Sequence, residues 1–279
     1  MAGTLYIVAT PIGNLADASP RSVDVLRAAD LIACEDTRTT RALLARHGIA
    51  GRTVALHAHN ERRAGAQLLA ALREGRSVAL VSDAGTPAIS DPGALLVEAA
   101  HREGLRVVPL PGPSAAVAAF SASGFASDRF LFAGFPPAEG ARARAAFLES
   151  LDVSCPVILY EAPHRVLETV EALLVRFGPR REIVIARELS KMFEEIARMP
   201  LGEAPRWLAS GTHRRQGEFV LVLGAAEAKA ADLAAGEKIL AVLLESLPAS
   251  EAARLAARIT GAPRRALYAA AARERRRDK

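Results

Sequence analysis

Residues 82–93 read SDAGTPAISDPG, with two aspartates, two glycines, two prolines and three hydroxyl side chains in twelve positions. Asp83 is an acceptor suited to a ribose diol. Gly85 lets the backbone approach a ligand closely, and Thr86 adds a hydroxyl. Asp91 before Pro92 has the form of a helix cap whose first amides can face an anion. Asp83 is therefore read as a ligand contact and Asp91 as a cap. The string EDTRTTR brings Glu35, Asp36, Arg38 and Arg41 together within seven residues. Such a group can orient a phosphate and take a proton, or it can be a surface ion-pair cluster worth little. His57, His59, Asn60 and Glu61 crowd a third stretch, but the cysteines and acidic partners that would fix a metal are not beside them, and no metal is expected. In the second half, YEAPHR (160–165) pairs Tyr160 and Glu161 with His164 and Arg165, and ARELSK (186–191) sets Glu188 near Lys191.

The alternation of short apolar runs with amphipathic segments says what must position these residues. Strands are predicted at Leu5–Ala9, Asp30–Cys34, Val54–His57, Val78–Val81 and Arg106–Leu110, with helices near Arg21–Ala28, Thr39–Arg46, Glu61–Glu74 and Pro92–Glu103. This is the pattern of a parallel sheet covered on both faces. Ser19–Pro20 and Asp91–Pro92 each place a cap before a helix-opening proline. A second α/β set has strands at Phe130–Ala133, Val157–Tyr160, Glu182–Arg187 and Phe219–Leu223, with helices at Arg142–Leu151 and Arg165–Phe177. The division into domains is set at 1–115, 116–224 and an alanine-rich helical tail at 225–279. In that tail a glycine turn at Gly261 and a helix opening at Pro263 give a helix–turn–helix outline.

Ligands of parallel sheets sit beyond the carboxyl ends of the strands, and the polar loops at 9–17, 34–41, 57–61, 82–93 and 109–116 all fall there. The dinucleotide fingerprint G-x-G-x-x-G does not follow the first strand, and no P-loop signature occurs. In PGPSA (111–115) the two prolines lack the amides a phosphate cradle requires. A nucleoside-bearing ligand without polyphosphate fits these loops, and S-adenosylmethionine is one.

Hydrophobic residues make up 51% of the 279, enough for a sizeable core. The longest uncharged stretch, Val107–Ser127, is punctuated by three prolines, two glycines and four serines, so no membrane span is expected. MAGTLYIVATPIGN does not read as a basic secretory leader, so no secretory signal is expected. Cys34 and Cys155 stand alone in apolar runs and are expected to be buried free thiols of a reducing cytoplasm. Net charge is +5, yet residues 251–279 hold nine Lys/Arg against three Asp/Glu, which leaves the preceding 250 residues at −1. A near-neutral body with a cationic end suits a polyanionic partner or a merely solvated tail.

Together LYIVATPIGNLAD, EDTRTT, HNE, VALVSDAGTPAISDPG, VVPLPGPSA, YEAPHR, ARELSK and GEFVLVL, spread in order over about residues 4–224, resemble the bacterial ribosomal RNA small subunit methyltransferase I family of the tetrapyrrole methylase superfamily. The resemblance implies a two-domain α/β fold, with a parallel sheet in the N-terminal domain, a mixed sheet in the C-terminal domain and a helical tail. It further implies S-adenosylmethionine bound in the cleft, 2′-O-methylation of a 16S ribosomal RNA cytidine at the decoding centre, and a homodimer. Tetrapyrrole-acting members open with a G-x-G-P-G-D type loop where this chain has ATPIGNLAD, which favours the RNA branch. On this basis Pro11, Asp83, Gly85, Thr86, Ile89, Ser114, Ala115 and Tyr160 are expected at the cofactor. Glu35, Asp36, Arg38, Glu188 and Lys191 are the candidates to hold or deprotonate the sugar, and Arg264, Arg265, Arg275, Arg276 and Arg277 are expected on RNA.

Overall fold

The computed structural model describes residues 2–226 and 233–277. Met1–Gly224 form one compact unit and Ala225–Lys279 a second.

The first unit opens on a five-stranded parallel sheet. Its strands are β1 (Thr4–Val8), β2 (Leu31–Cys34), β3 (Thr53–Ala55), β4 (Val78–Val81) and β5 (Arg106–Leu110), in spatial order β3-β2-β4-β1-β5. Side chains alternate between its faces, as the pleat requires. Leu5 and Leu80 pack under helices α3 (Glu61–Arg73) and α4 (Ala94–Arg102), which contribute Leu68, Leu72 and Leu96. Val8, Ala79 and Val81 pack on the other face with Leu26 of α1 (Pro20–Ala28) and Leu43 of α2 (Thr37–Arg46). Because every strand runs the same way, all five carboxyl ends meet at one edge. Ser19 caps α1 as expected, its hydroxyl accepting from Ser22 N–H at 3.1 Å. The expected cap at Asp91 is overturned. Helix α4 begins at Ala94 after Gly93, and Glu61 Oε1 takes the free N–H groups of Gly93 (2.8 Å) and Leu95 (3.1 Å).

The second sheet is mixed. Strands β6 (Leu131–Gly134), β7 (Val157–Glu161), β8 (Glu182–Arg187), β9 (Glu195–Pro200) and β10 (Phe219–Leu223) lie in order β6-β7-β10-β8-β9, with only β6 and β7 parallel. Its helices are α5 (Ala115–Ser123), α6 (Ala141–Ser150), α7 (Val166–Phe177) and α8 (Ala204–Ala209). Ala116 and Ala119 of α5 cover one face, and Val170 and Leu173 of α7 with Leu208 of α8 cover the other. Among the described strands and α-helices of this unit, three lie outside the sequence expectation. β9 is a charged edge strand, α5 is apolar without a polar stripe to give it period, and α8 is a turn and a half long. Cys34 is buried, but Cys155 is only half-buried, in the turn before β7, which corrects the expectation of two buried thiols.

The second unit consists of α9 (Leu233–Leu244), α10 (Ala249–Thr260) and α11 (Arg264–Arg277), packed through Leu240, Ala253, Ala256 and Leu267. The turn between α10 and α11 passes through Gly261 at φ +74. No described helix is long and apolar enough to cross a membrane.

Candidate active site

The loops at the parallel edge are tied to one another. Thr10 and Gly85, after β1 and β4, exchange both backbone hydrogen bonds (2.9 and 3.1 Å), and the buried Thr10 hydroxyl donates to the Ser82 carbonyl at 3.1 Å. Gly85 holds φ +87, a conformation glycine adopts without strain. Thr86 Oγ1 donates to the Pro113 carbonyl (3.0 Å), joining the loop after β4 to the one after β5, and Asp83 Oδ1 accepts Asp36 N–H (3.1 Å) from the loop after β2. The first loop also reaches the second sheet. A Cβ on Gly13 would lie 2.4 Å from Lys191 Cγ and 3.0 Å from the Leu189 carbonyl, so only glycine permits that approach.

Between these loops and the second sheet lies a cavity of about 410 Å³. The parallel edge supplies Ile12, Asp83, Thr86, Ile89 and Asp91, and the second sheet supplies Phe135, Tyr160, Glu161, Leu189 and Glu218. Four carboxylates line it, and no lysine or arginine does among the described residues. Tyr160 is braced at ring-centroid distances of 5.0 Å from Phe132 and 5.5 Å from Phe135, and its hydroxyl accepts Ala116 N–H at 3.2 Å. Burial, followed by the nearby Asp91 charge, pushes the phenol up despite that bond. Glu161 is wholly buried and fully matched. It accepts Thr169 Oγ1 (2.6 Å) and Ala162 N–H (2.7 Å), and it pairs with Arg165 at 2.9 Å.

The remaining carboxylates divide by environment. Burial, with the Glu35 charge behind it, pushes Asp91 up to about 6. Burial and then the Asp83 and Asp36 charges raise Glu35, with His57 opposing. Asp36 goes the other way. It caps α2 through Arg38 N–H (2.7 Å), and the Arg38 guanidinium at 2.7 Å helps hold it down at about 2. Burial alone would raise Glu188, but Lys191 Nζ (2.9 Å) and Glu218 N–H (2.9 Å) outweigh it and leave the carboxyl low. Lys191, which also pairs with Glu218 at 3.2 Å, is held above its usual value in spite of burial.

Of the residues expected at the cofactor, Asp83, Gly85, Thr86, Ile89, Ser114, Ala115 and Tyr160 line the cavity. Pro11 does not, and the neighbouring Ile12 does. Glu35, Asp36, Arg38, Glu188 and Lys191 stand outside the lining. Asp36 reaches it through Asp83, and Glu188 and Lys191 reach it through Glu218. Arg264 and Arg265 are exposed at the start of α11 in the second unit, and the side chains of Arg275, Arg276 and Arg277 lie outside the described residues. The His57 and His59 rings are 6.1 Å apart, and no cluster able to hold a metal occurs among the described residues. Sequence reasoning missed Asp91, Glu161 and Glu218 as lining residues. For the last two the usable signal was their position at strand ends of the second sheet.

The family description Tetrapyrrole (Corrin/Porphyrin) Methylases matches residues 4–205, and RsmI C-terminal HTH domain matches residues 230–275. The chain is 51% identical over 267 residues to the ribosomal RNA small subunit methyltransferase I of Xylella fastidiosa (strain Temecula1), covering 95% of this chain and 98% of that one. It is 48% identical to the protein of that name from Escherichia coli O157:H7, covering 95% and 93%. Among solved structures it resembles diphthine synthase (TM-score 0.63, 16% identity, 80% of this chain and 90% of that one). It also resembles uroporphyrin-III C-methyl transferase from Thermus thermophilus complexed with S-adenyl homocysteine (TM-score 0.55, 19% identity, 80% and 97%). At such identities these two likenesses speak for the fold. The curated relatives, nearly full-length on both sides, speak for more: the chain belongs to the ribosomal RNA small subunit methyltransferase I family of the tetrapyrrole methylases.

Proposed function

We propose that this protein transfers a methyl group from S-adenosylmethionine to the ribose 2′-hydroxyl of a cytidine in 16S ribosomal RNA, at the decoding centre of the small subunit. The observation that carries the reading is the cavity of about 410 Å³ with four carboxylates and no basic side chain in its lining among the described residues. Its volume is ordinary for a small-molecule site. Glu161 and Glu218 are matched by Arg165 and Lys191 from behind the wall, and the charge of Asp83 and Asp91 suits a ligand bearing a sulfonium and an ammonium and disfavours a polyphosphate. The names of the curated relatives extend the reading to ribosomal RNA.

Asp83, Gly85, Thr86, Ile89, Ser114, Ala115 and Tyr160 hold the cofactor, with Pro11 bracing the turn that presents Ile12. When bound, S-adenosylmethionine supplies an electrophilic methyl group whose leaving thioether is neutral. The chain's own tasks are to align a weakly acidic hydroxyl and to take its proton. Arg38, its side chain 87% exposed, and Lys191, kept protonated by Glu188 and Glu218, are placed to meet the backbone of the RNA. Asp36 and Glu188 set the positions of those cations. The exposed Arg264 and Arg265, with Arg275, Arg276 and Arg277, add phosphate contacts from the tail. The protein acts as a homodimer in the cytoplasm.

Labelled S-adenosylmethionine incubated with undermodified small subunits tests the reading. Label at one alkali-resistant cytidine is expected, and label absent from the RNA contradicts it. In a separate titration Asp83→Ala is expected to abolish calorimetric cofactor binding. Arg264→Ala with Arg265→Ala lowers the salt slope of RNA binding by about 2.

A further inference from the structure

Asp91 has lost the role its sequence gives it. An Asp-Pro pair ahead of a helix ordinarily caps that helix, but Glu61 reaches across from α3 and takes the Gly93 and Leu95 amides. The carboxylate is left to face the cavity, which it lines. The loop that carries it is held in an uncommon backbone. Ala88 and Ser90 both sit at φ +65, each at a cost of about 1 kcal/mol or more that the surrounding contacts must offset. Strain of this kind persists where the position of a side chain matters. The groups that face Asp91 are Ser82, which hydrogen-bonds it, the carboxylates of Glu35 and Asp83, and the Tyr160 phenol on β7. His57 acts on Glu35 behind it. None of these is a fixed cation, and the carboxylate is therefore more basic than the Glu188 carboxylate held by Lys191.

We propose that Asp91 is the general base of the methyl transfer, taking the proton of the substrate 2′-hydroxyl. This rests on the 2′-O-methylation reading above. The 2′-oxygen forms a bond to the methyl carbon as the carbon–sulfur bond breaks, the bonding pair leaves with sulfur to give a neutral thioether, and the hydroxyl proton passes to the Asp91 carboxylate and then to water. A positioned base of this kind contributes about 10² to 10⁴ in rate.

The test is single-turnover methylation of undermodified small subunits from pH 5 to 9 at saturating S-adenosylmethionine, with the full-length chain, Asp91→Asn and Asp91→Glu. The unmodified chain is expected to lose rate on the acid side of about pH 6. Asp91→Asn is expected to fall at least about 100-fold at saturating S-adenosylmethionine, with a thermal midpoint no lower than that of the unmodified chain and a rate that climbs as hydroxide rises. Asp91→Glu recovers part of the rate together with the acid limb. An Asp91→Asn chain with normal rate and an intact acid limb overturns the proposal alone. An unmodified chain that methylates no ribose 2′-hydroxyl overturns the function reading and the proposal with it.

Discussion

Two carboxylate groups border the same cavity from opposite sheets, and they are built on opposite principles. At the second sheet Glu188 and Glu218 share one ammonium, Lys191, with contacts of 2.9 and 3.2 Å, and Glu161 shares Arg165 and a threonine hydroxyl. At the parallel edge Glu35, Asp83 and Asp91 act on one another with no ion pair to any of them among the described residues, His57 opposing only at Glu35, and Glu35 and Asp91 are raised. Residue type does not separate the groups. A carboxylate that is matched by donors becomes a fixed acceptor, whereas one crowded by burial and like charge becomes a base near neutral pH.

That contrast can be broken by removing the matching partners. Arg165→Met strands the buried Glu161 and is expected to cost about 3 kcal/mol or more in urea unfolding. Second in size is Asp91→Asn. Because burial raises this acid in the folded chain, the folded state holds more protons than the unfolded state between about pH 4 and about 6, and stability contributed there is lost as pH rises through that window. Asp91→Asn should therefore be more stable than the unmodified chain at pH 8, by about 2 kcal/mol at most, and the gap should close at pH 4. Lys191→Met, at a half-exposed cluster, is expected to cost about 1 kcal/mol and to let Glu188 rise, so that the stability this lowered carboxyl loses on acidification in the unmodified chain is lost less steeply in the variant. Smallest is Arg38→Ala. Its pair with Asp36 is open to solvent, so the unfolding midpoint should not move measurably, while RNA binding weakens.

The sequence carried the sheet that builds the edge, because Val78–Val81 and its neighbours are apolar runs between capped amphipathic helices, and only buried parallel strands read that way. It carried Asp83, Gly85 and Thr86 because they stand in an unusual loop after β4, whereas Ile89, Ser114, Ala115 and Tyr160 came with the family resemblance. What it hid depends on distant partners. Asp91 reads as a cap until Glu61, thirty residues earlier, is seen to take the amides. β9 lies on an edge with Glu195 and Arg198 breaking up its apolar residues, Arg198 pairing with Glu182 of β8, and it carries no long apolar run. α5 lacks the polar stripe that makes helical period visible. Glu161 and Glu218 stand at strand ends of the second sheet, a signal that marks the edge but does not by itself separate a cavity-facing carboxylate from a solvated one.

The most direct measurement is the crystal structure of the full chain grown with saturating S-adenosylmethionine. The account requires density for the nucleoside inside the chamber walled by Asp83, Thr86, Ser114 and Tyr160. Density at any other place, or a clean empty chamber under those conditions, contradicts it.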